Sequence, residues 1–414
     1  MANGVTPENG AKISCENNNT FKMAGTFEGR KPRVLFTFVE AGFGHIMPMQ
    51  AIFDAFKAKY GDRCECLPVN IFSESPHPAV IQMGKEFYGS TKLASKNWLF
   101  NKIEGLAHHF STRFTHWFLD LHFKKAERLS AEEIKALNPD LVVATYYMPT
   151  HICAKANAKK IMNVLTATYS PDPYIYPAWD RNCDIFFVNN KKAYDMAVKK
   201  GFKKDKVKLI PCLLRKGIRE IKLTKEEARE AVGLNKDRFN VVFTSGAYGE
   251  KRTNALLKSL ATSNLDFDLT VICGKNPDTE KAIREYEKIK SPSVGINVVP
   301  YTDKMAEYMR AADIVMGKSG SNTIMEAAYL SANMLISARA SHLEEIAADW
   351  AVDEKIALCE TKPEKIIEII KNCIEDPDYM KNRLTGLDNY SDLNGAEIAA
   401  DELYRLLKTR YPEL

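Results

Sequence analysis

Short apolar runs alternate with amphipathic stretches from residue 33 onward. The runs are rich in β-branched and aromatic residues, which favours strands, whereas the stretches between them repeat apolar positions at helical spacing. Parallel sheets with crossover helices produce this alternation. In the first half of the chain it predicts strands at residues 34–39, 66–69, 141–145, 161–166 and 185–188, and a helix at 47–60.

The alternation pauses at residues 211–221, which lack a clear period, and then restarts. This segment is therefore predicted to link two domains. Beyond it, the pattern predicts strands at residues 240–244, 269–273, 296–299, 314–316 and 334–337, with helices at 250–261 and 323–330.

The expected architecture is α/β, with two Rossmann-like, doubly wound domains that face a cleft; a chain of 414 residues is long enough for both. Residues 33–215 would form the first domain and residues 222–390 the second. Within residues 391–414, a helix predicted at about 396–408 is expected to pack back on the first domain. Ligands of open α/β sheets bind beyond the carboxyl ends of the strands, so the chemistry is expected in the turns there.

Composition narrows the class of protein. The chain is 45% hydrophobic and 27% charged, a balance typical of globular domains, and no apolar run reaches the roughly 18 residues of a membrane-spanning helix. Residues 1–32 lack the apolar core of a signal peptide and are expected to form a disordered tail. Nine cysteines without CxxC spacing disfavour a zinc site or a disulfide scaffold, and they fit a reducing, cytoplasmic compartment.

Charge is divided unevenly along the chain. Residues 1–220 contain 32 Lys and Arg against 21 Asp and Glu, whereas the remaining residues contain 26 against 32. A basic half of this kind predicts an anionic partner, with membrane phospholipid and nucleic acid as the candidates.

Glycine-containing turns follow several predicted strands, and glycine lets a ligand approach the backbone. The first turn contains Gly42 and Gly44 and ends at His45, which could accept a proton near neutral pH or simply cap the following helix. The turn at residues 244–249 could place a diphosphate against main-chain amides, or it could be an ordinary turn between a strand and a helix. Ser245 and Gly246 are its candidates, and Gly274 occupies a similar position.

A further turn, at residues 318–322, precedes a predicted helix. Its small residues leave room for a phosphate at the helix N-terminus, and Lys318 could add positive charge. Glu326 lies about one helical turn further on. Its carboxylate could bind both hydroxyls of a ribose, or it could be an exposed group that stabilises the helix dipole. The GxxxxGK[ST] pattern of an NTP-hydrolysing loop is absent from the sequence.

Aromatic and basic residues are interleaved between residues 85 and 128. Aromatic rings at headgroup level and cations against anionic lipid would suit a membrane interface, with Trp98, Phe100 and Trp117 as candidate contacts. The alternative is that the aromatic residues form core and the charges a solvated face. No nucleic-acid-binding motif is present, so nucleic acid is not expected as a partner.

Residues 299–307, 311–315 and 318–326, together with 271–276, resemble the donor domain of GT-B glycosyltransferases. The resemblance is to monogalactosyldiacylglycerol synthases and processive diacylglycerol glucosyltransferases, and more distantly to the peptidoglycan lipid-linked GlcNAc transferase. It implies an inverting, metal-independent transfer of a hexose from a UDP-sugar to a lipid hydroxyl, most simply that of diacylglycerol. The reaction would need no cofactor, and the protein would be a peripheral membrane protein on the cytosolic face.

The resemblance also implies roles for individual residues. His45 becomes the candidate base. Tyr301 and Thr302 would hold the uracil through main-chain contacts, and Glu326 would hold the ribose. Glu344 lies at a position that reads the donor sugar in relatives, but its neighbour Leu343 departs from their Gln-Glu pair, which leaves the sugar open. The diphosphate would be cradled by Ser245, Gly246, Ser319, Gly320, Ser321 and Asn322.

Departures from the family pattern lie on the acceptor side. Relatives carry Thr-Asp followed by a His-Pro-x-Trp element; here Trp179 matches, but the acidic residue is displaced, and Asp172 is its candidate replacement. Glu40 stands where relatives carry an Asp and could orient His45 or act as the base itself. The altered loop leaves other acceptors open, such as a polyprenyl-linked intermediate, a sterol or a secondary metabolite. The alternative to an enzyme is a non-catalytic subunit that binds a UDP-sugar.

Overall fold

The computed structural model of the chain describes residues 30–39, 43–96, 102, 105–106, 110–244, 251–274, 277–339, 341–391 and 393–414. They divide into two compact units, each with a six-stranded sheet. Unit 1 draws its described residues from Met1–Leu93, Leu106–Leu213 and Asn394–Leu414, and unit 2 draws its own from Ala94–Gly105 and Leu214–Leu393. Residues 1–29 of the predicted tail lie outside the described residues.

The sheet of unit 1 is parallel throughout, with the strand order β2-β1-β3-β4-β5-β6. Its strands are β1 (Arg33–Thr37), β2 (Glu65–Val69), β3 (Leu141–Ala144), β4 (Leu165–Ser170), β5 (Ile185–Val188) and β6 (Val207–Leu209). Its helices are α1 (Phe43–Tyr60), α2 (Pro78–Lys96), α3 (Thr112–His122), α4 (Lys124–Ala136), α5 (Tyr147–Ala158), α6 (Lys191–Lys199) and, at the end of the chain, α15 (Ala396–Lys408).

Burial on both faces explains why these strands are continuous apolar runs. Every residue of β3 and of β5 is buried, as expected for a parallel sheet covered by helices on both sides. Successive residues of β1 point to opposite faces. Val34 and Phe36 join a core that includes residues of α1 and α15, whereas Leu35 joins the core on the other face. Helix α15 therefore completes one layer of unit 1.

Some predicted boundaries differ from the structure. The predicted strand at 161–166 is wrong at its start: β4 begins at Leu165, because the Asn157 side chain hydrogen-bonds both the amide and the carbonyl of Val164 and holds that residue at the end of α5. Lys160, with φ of 58°, turns the chain before it. Helix α1 begins at Phe43, earlier than predicted, and contains Pro48. Strand β6 has three residues, too few to give a pattern.

The sheet of unit 2 is also parallel, with the order β12-β11-β10-β7-β8-β9. Its strands are β7 (Asn240–Thr244), β8 (Phe267–Ile272), β9 (Val294–Val299), β10 (Ile314–Lys318), β11 (Met334–Ala338) and β12 (Ala357–Cys359). Its helices are α7 (Lys216–Arg219), α8 (Lys225–Val232), α9 (Lys251–Ala261), α10 (Pro277–Glu287), α11 (Met305–Ala311), α12 (Ser321–Tyr329), α13 (His342–Asp353) and α14 (Pro363–Glu375). Two parallel α/β sheets confirm the expected fold class.

The centre of this second sheet positions the turn that follows β10. Gly317 of β10 pairs with Thr244 of β7. A Cβ atom on Gly317 would lie 2.5 Å from the Thr244 Oγ1, so the close approach of the two strand ends requires glycine. The start of α12 is thereby held next to the end of β7.

None of the helices in the described ranges has the length and apolar character needed to span a bilayer.

Candidate active site

The turn from β10 into α12 is anchored by Ser319. This side chain is fully buried; its hydroxyl donates to the carbonyl oxygen of Glu344 at 2.8 Å, and its amide donates to the carbonyl oxygen of Ala338 at 3.3 Å. Next to it, Lys318 Nζ lies 3.2 Å from Glu344 Oε1. Gly320 then caps the N-terminus of α12, where the amides of the first turn face outward from the helix end. Such a helix end favours an anionic group.

Glu326 lies in the second turn of α12, and its side chain is nearly buried at 10% exposure. Arg215 Nε donates to one carboxylate oxygen at 3.0 Å, and Arg215 Nη2 donates to the other at 3.4 Å. Burial raises the pKa of Glu326, and the positive charge of Arg215 opposes that rise. The two-pronged contact fixes the plane of the carboxylate, whose remaining lone pairs can accept from a pair of hydroxyls.

Other predicted donor-side residues lie at strand ends of the same unit. Tyr301 follows β9 and is 63% exposed. Thr302 beside it accepts a hydrogen bond from the Lys304 amide at 3.1 Å, which closes a small turn. Gly274 follows β8 with φ of 61°, the left-handed region that favours glycine. Ser245 and Gly246 lie outside the described residues.

His45 occupies the first turn of α1 in unit 1. Its Nδ1 lies 2.6 Å from the carbonyl oxygen of Thr145, and the Thr145 hydroxyl donates back to the His45 carbonyl oxygen at 2.7 Å. The edge of its ring meets Tyr146, with centroids 5.0 Å apart. A carbonyl oxygen only accepts, so Nδ1 carries the hydrogen, and in the neutral ring the basic lone pair is on Nε2.

The charge state of His45 is set by its surroundings. Burial lowers the pKa of His45 below its usual value of 6.5; the carboxylate of Asp172 and the hydrogen bond to Thr145 act in the opposite direction. Asp172 lies in the loop after β4, so the structure brings these two candidate residues within electrostatic reach. The imidazole is therefore neutral at neutral pH and can accept a proton on Nε2.

Two family models match separate parts of the chain. The Glycosyltransferase family 28 C-terminal domain matches residues 240–387, and Monogalactosyldiacylglycerol (MGDG) synthase matches residues 45–211. MurG from Acinetobacter baumannii has a similar structure, with a TM-score of 0.61 and 14% identity over 90% of this chain and 99% of that one. The chain is a glycosyltransferase of the GT-B fold. The expected enzyme class is confirmed.

Curated relatives of this glycosyltransferase have names that agree with the resemblance. The chain is 20% identical over 352 residues to the processive diacylglycerol beta-glucosyltransferase of Bacillus pumilus, covering 84% of this chain and 88% of the relative. It is 23% identical over 326 residues to the probable monogalactosyldiacylglycerol synthase of Glycine max, covering 75% of this chain and 59% of the relative.

The remaining predicted residues of unit 1 have different environments. Gly44 is exposed at the start of α1, and a Cβ atom there would meet nothing within 4 Å. Trp117 of α3 is 58% exposed, whereas Trp179 is 4% exposed and packs edge-on against Tyr147 and Phe186. Trp179 is thus a core residue that supports the loop after β4. The candidates Glu40, Gly42, Trp98 and Phe100 lie outside the described residues.

Sequence reasoning missed two arrangements. Arg215, the partner of Glu326, falls in the predicted linker, where its only signal was its positive charge. The second arrangement is a buried ionic cluster around His151 in unit 1, whose members are scattered along the chain and follow no motif. It consists of His116, Asp120, Glu127, His151, Lys155 and Asp180.

Proposed function

We propose that this glycosyltransferase transfers a hexose from a UDP-sugar to the hydroxyl of diacylglycerol at the cytosolic face of a membrane. The names of the relatives, a diacylglycerol glucosyltransferase and a monogalactosyldiacylglycerol synthase, support the acceptor class. A similar structure, UDP-GlcNAc 2-epimerase from Neisseria meningitidis bound to UDP-GlcNAc, supports a UDP-sugar donor.

The observation that carries the mechanism is the neutral His45 with its hydrogen on Nδ1. In the proposed step, Nε2 takes the proton of the acceptor hydroxyl while the oxygen attacks the anomeric carbon of the hexose. The bond from that carbon to UDP breaks as the new bond forms on the opposite face, so the configuration inverts. Asp172 stabilises the imidazolium that results, since its carboxylate favours the charged form of His45.

The leaving group is stabilised from unit 2. As UDP departs, negative charge grows on its diphosphate, and the N-terminus of α12 offers outward-facing amides to that charge. Lys318 adds a cation at the same turn. We propose that these groups, rather than a metal ion, receive the diphosphate. Glu326, held by Arg215, accepts hydrogen bonds from the ribose hydroxyls.

The lipid side of the reaction is assigned to helix α3. It exposes a row of large apolar side chains, and basic residues flank the row at Arg113, Lys124 and Lys125. Exposed apolar groups of this size gain free energy by entering the headgroup region, and cations strengthen the contact with anionic lipid. The exposed apolar side chains of α3 are Phe114, Trp117, Phe118 and Leu121, and Phe110 just before the helix is exposed as well.

The double variant Trp117→Ser/Phe118→Ser is expected to bind anionic vesicles at least about tenfold more weakly, because two large apolar side chains are removed from the contact. Co-sedimentation with vesicles measures this, and raising the salt should weaken wild-type binding as well. Ile289→Ser is the matched control, since Ile289 is an equally exposed apolar residue of unit 2. Equal sedimentation of the double variant and the control would contradict the assignment of α3.

The function is tested by incubating the purified protein with a panel of UDP-hexoses and anionic liposomes that contain diacylglycerol. Mass spectrometry should find diacylglycerol with one added hexose for at least one donor. Glycosylation of a different lipid class in the same assay would correct the acceptor. Binding of UDP without transfer to any lipid would contradict the proposed reaction.

A further inference from the structure

His151 of α5 lies between two carboxylates and is only 4% exposed. Its Nδ1 is 2.8 Å from Asp180 Oδ2, and its Nε2 is 2.9 Å from Asp120 Oδ1. Carboxylates accept hydrogen bonds, so both ring nitrogens donate and the ring is an imidazolium. Burial opposes this charge, but the hydrogen bonds to Asp120 and Asp180 outweigh it and raise the pKa of His151 to about 9.

The cluster has the geometry of a possible metal site, since ligand atoms of His116, His151 and Asp180 lie within 4.8 Å of one another. Its charges are already balanced in another way. Lys155 Nζ lies 2.7 Å from Asp120 and 2.5 Å from Glu127. The imidazolium of His151 pairs with Asp120 and Asp180. The ammonium of Lys155 and the imidazolium of His151 therefore already neutralise the carboxylates that a metal ion would need as ligands.

The two carboxylates that His151 holds belong to different elements. Asp120 is on α3, which also carries the exposed Trp117 and Phe118. Asp180 is in the loop at residues 171–184, between β4 and β5, which also carries Asp172. A second tie joins the same two elements, because His116 Nε2 of α3 donates to the carbonyl oxygen of Ala178 at 3.0 Å.

Apolar packing alone holds α3 weakly. The structure describes all residues of this helix, and among them Leu119 is the one that is buried. Its remaining attachments to unit 1 are largely polar, through Asp120, His116 and the exposed His122, which pairs with Glu86 of α2. Since one buried leucine removes little apolar area from water, the polar contacts of Asp120 and His116 decide where the helix lies.

We propose that His151 is a positioning residue whose imidazolium clamps α3 to the loop at 171–184 and thereby sets the acceptor side of the active site. The inference rests on the proposed function in that α3 and this loop are assigned to the acceptor. The ionisable groups that face His151 are His116 and Asp120 on α3, Glu127 on α4, Lys155 on α5 and Asp180 on the loop.

The test compares His151→Gln with His77→Gln in the full-length protein. His77 also belongs to unit 1, but it precedes α2, and its side chain is 39% exposed. In His151→Gln, the KM for the acceptor lipid should rise about tenfold, while the KM for the UDP-sugar stays within about twofold, because the loss of a buried charge pair is confined to unit 1. His77→Gln should match the wild type in both constants.

A pH series adds a measurement that a general loss of stability would not reproduce. The wild-type acceptor KM should rise as the pH passes about 9, where His151 loses its proton, and the KM of His151→Gln should stay level there. Equal changes in both KM values, or the same pH dependence in the variant, would overturn the clamp. If His151→Gln does not fold, Asp120→Asn removes the partner on α3 and gives the same readouts.

Hydrogen exchange tests the clamp independently of the proposed function. Amides of residues 112–122 should exchange faster in His151→Gln than in His77→Gln, whether or not any lipid is glycosylated. If the wild type transfers no sugar but this difference is present, the proposed function fails and the clamp stands. No difference overturns the clamp, as does an effect of EDTA on exchange in the wild type, which would show that the cluster holds a metal.

Discussion

Replacing His45 by alanine is expected to lower kcat of the transfer by about 10²- to 10⁴-fold, the range of a single general base. The reason is that Nε2 is the atom that would take the acceptor proton, and alanine supplies no substitute. Affinity for UDP should remain unchanged, since the donor residues are in unit 2. Single-turnover kinetics on diacylglycerol liposomes measures the first quantity, and calorimetry with UDP measures the second.

The pH dependence of kcat/KM is a second test of His45 as the base. Burial lowers the pKa of His45, so the neutral, active form persists as the pH falls below 6.5. The acid limb of kcat/KM should therefore have its midpoint below pH 6.5. Turnover of His45→Ala at the wild-type rate would remove His45 from the mechanism. His77→Ala serves as the control for loss of an imidazole elsewhere in unit 1.

Asp172→Asn separates a supporting role from a catalytic one. The Asp172 carboxylate raises the pKa of His45, so its neutral replacement should move the acid limb to still lower pH while much of the activity is retained. If Asp172 were the base, the variant would lose activity as severely as His45→Ala. The pH–rate profile of this one variant distinguishes the two roles.

Buried strands were the part of the fold that the sequence predicted best, because a parallel sheet covered on both faces requires unbroken apolar runs such as those of β3 and β5. Elements without such a requirement were missed or misplaced. Strands β6 and β12 have three residues each, which is too short for a period. The start of β4 depends on the Asn157 side chain, a local contact that hydrophobic patterning does not register.

The candidate site, too, could be predicted from the sequence only in part. The positions of Lys318, Gly320 and Glu326 follow from their place after a predicted strand, so their grouping at the start of α12 could be predicted. Their partners could not. Arg215 is 111 residues from Glu326 in the chain, and Asp120 and Asp180 are 31 and 29 residues from His151. Such pairings depend on tertiary packing, which residue spacing does not reveal.

Replacing Glu326 by alanine is expected to weaken UDP binding by about 10- to 100-fold, which corresponds to the loss of one or two hydrogen bonds to a charged group. Glu326→Gln should weaken it less, because the amide keeps one acceptor oxygen for the ribose. Calorimetry with UDP measures both variants. Glu368→Ala is the matched control, since Glu368 is an exposed glutamate of the same unit that pairs with Lys365. Unchanged affinity in Glu326→Ala would contradict the ribose assignment.

Arg215→Met tests whether the arginine keeps this carboxylate ionised. Burial raises the pKa of Glu326 and Arg215 opposes the rise, so removing the guanidinium should raise that pKa further. A protonated Glu326 accepts fewer hydrogen bonds from the ribose, so the variant should bind UDP more weakly at low pH and recover affinity as the pH rises and the carboxylate ionises. Wild-type affinity should vary less over the same range. A loss of affinity in Arg215→Met that does not depend on pH would instead mean that Arg215 contacts the nucleotide itself.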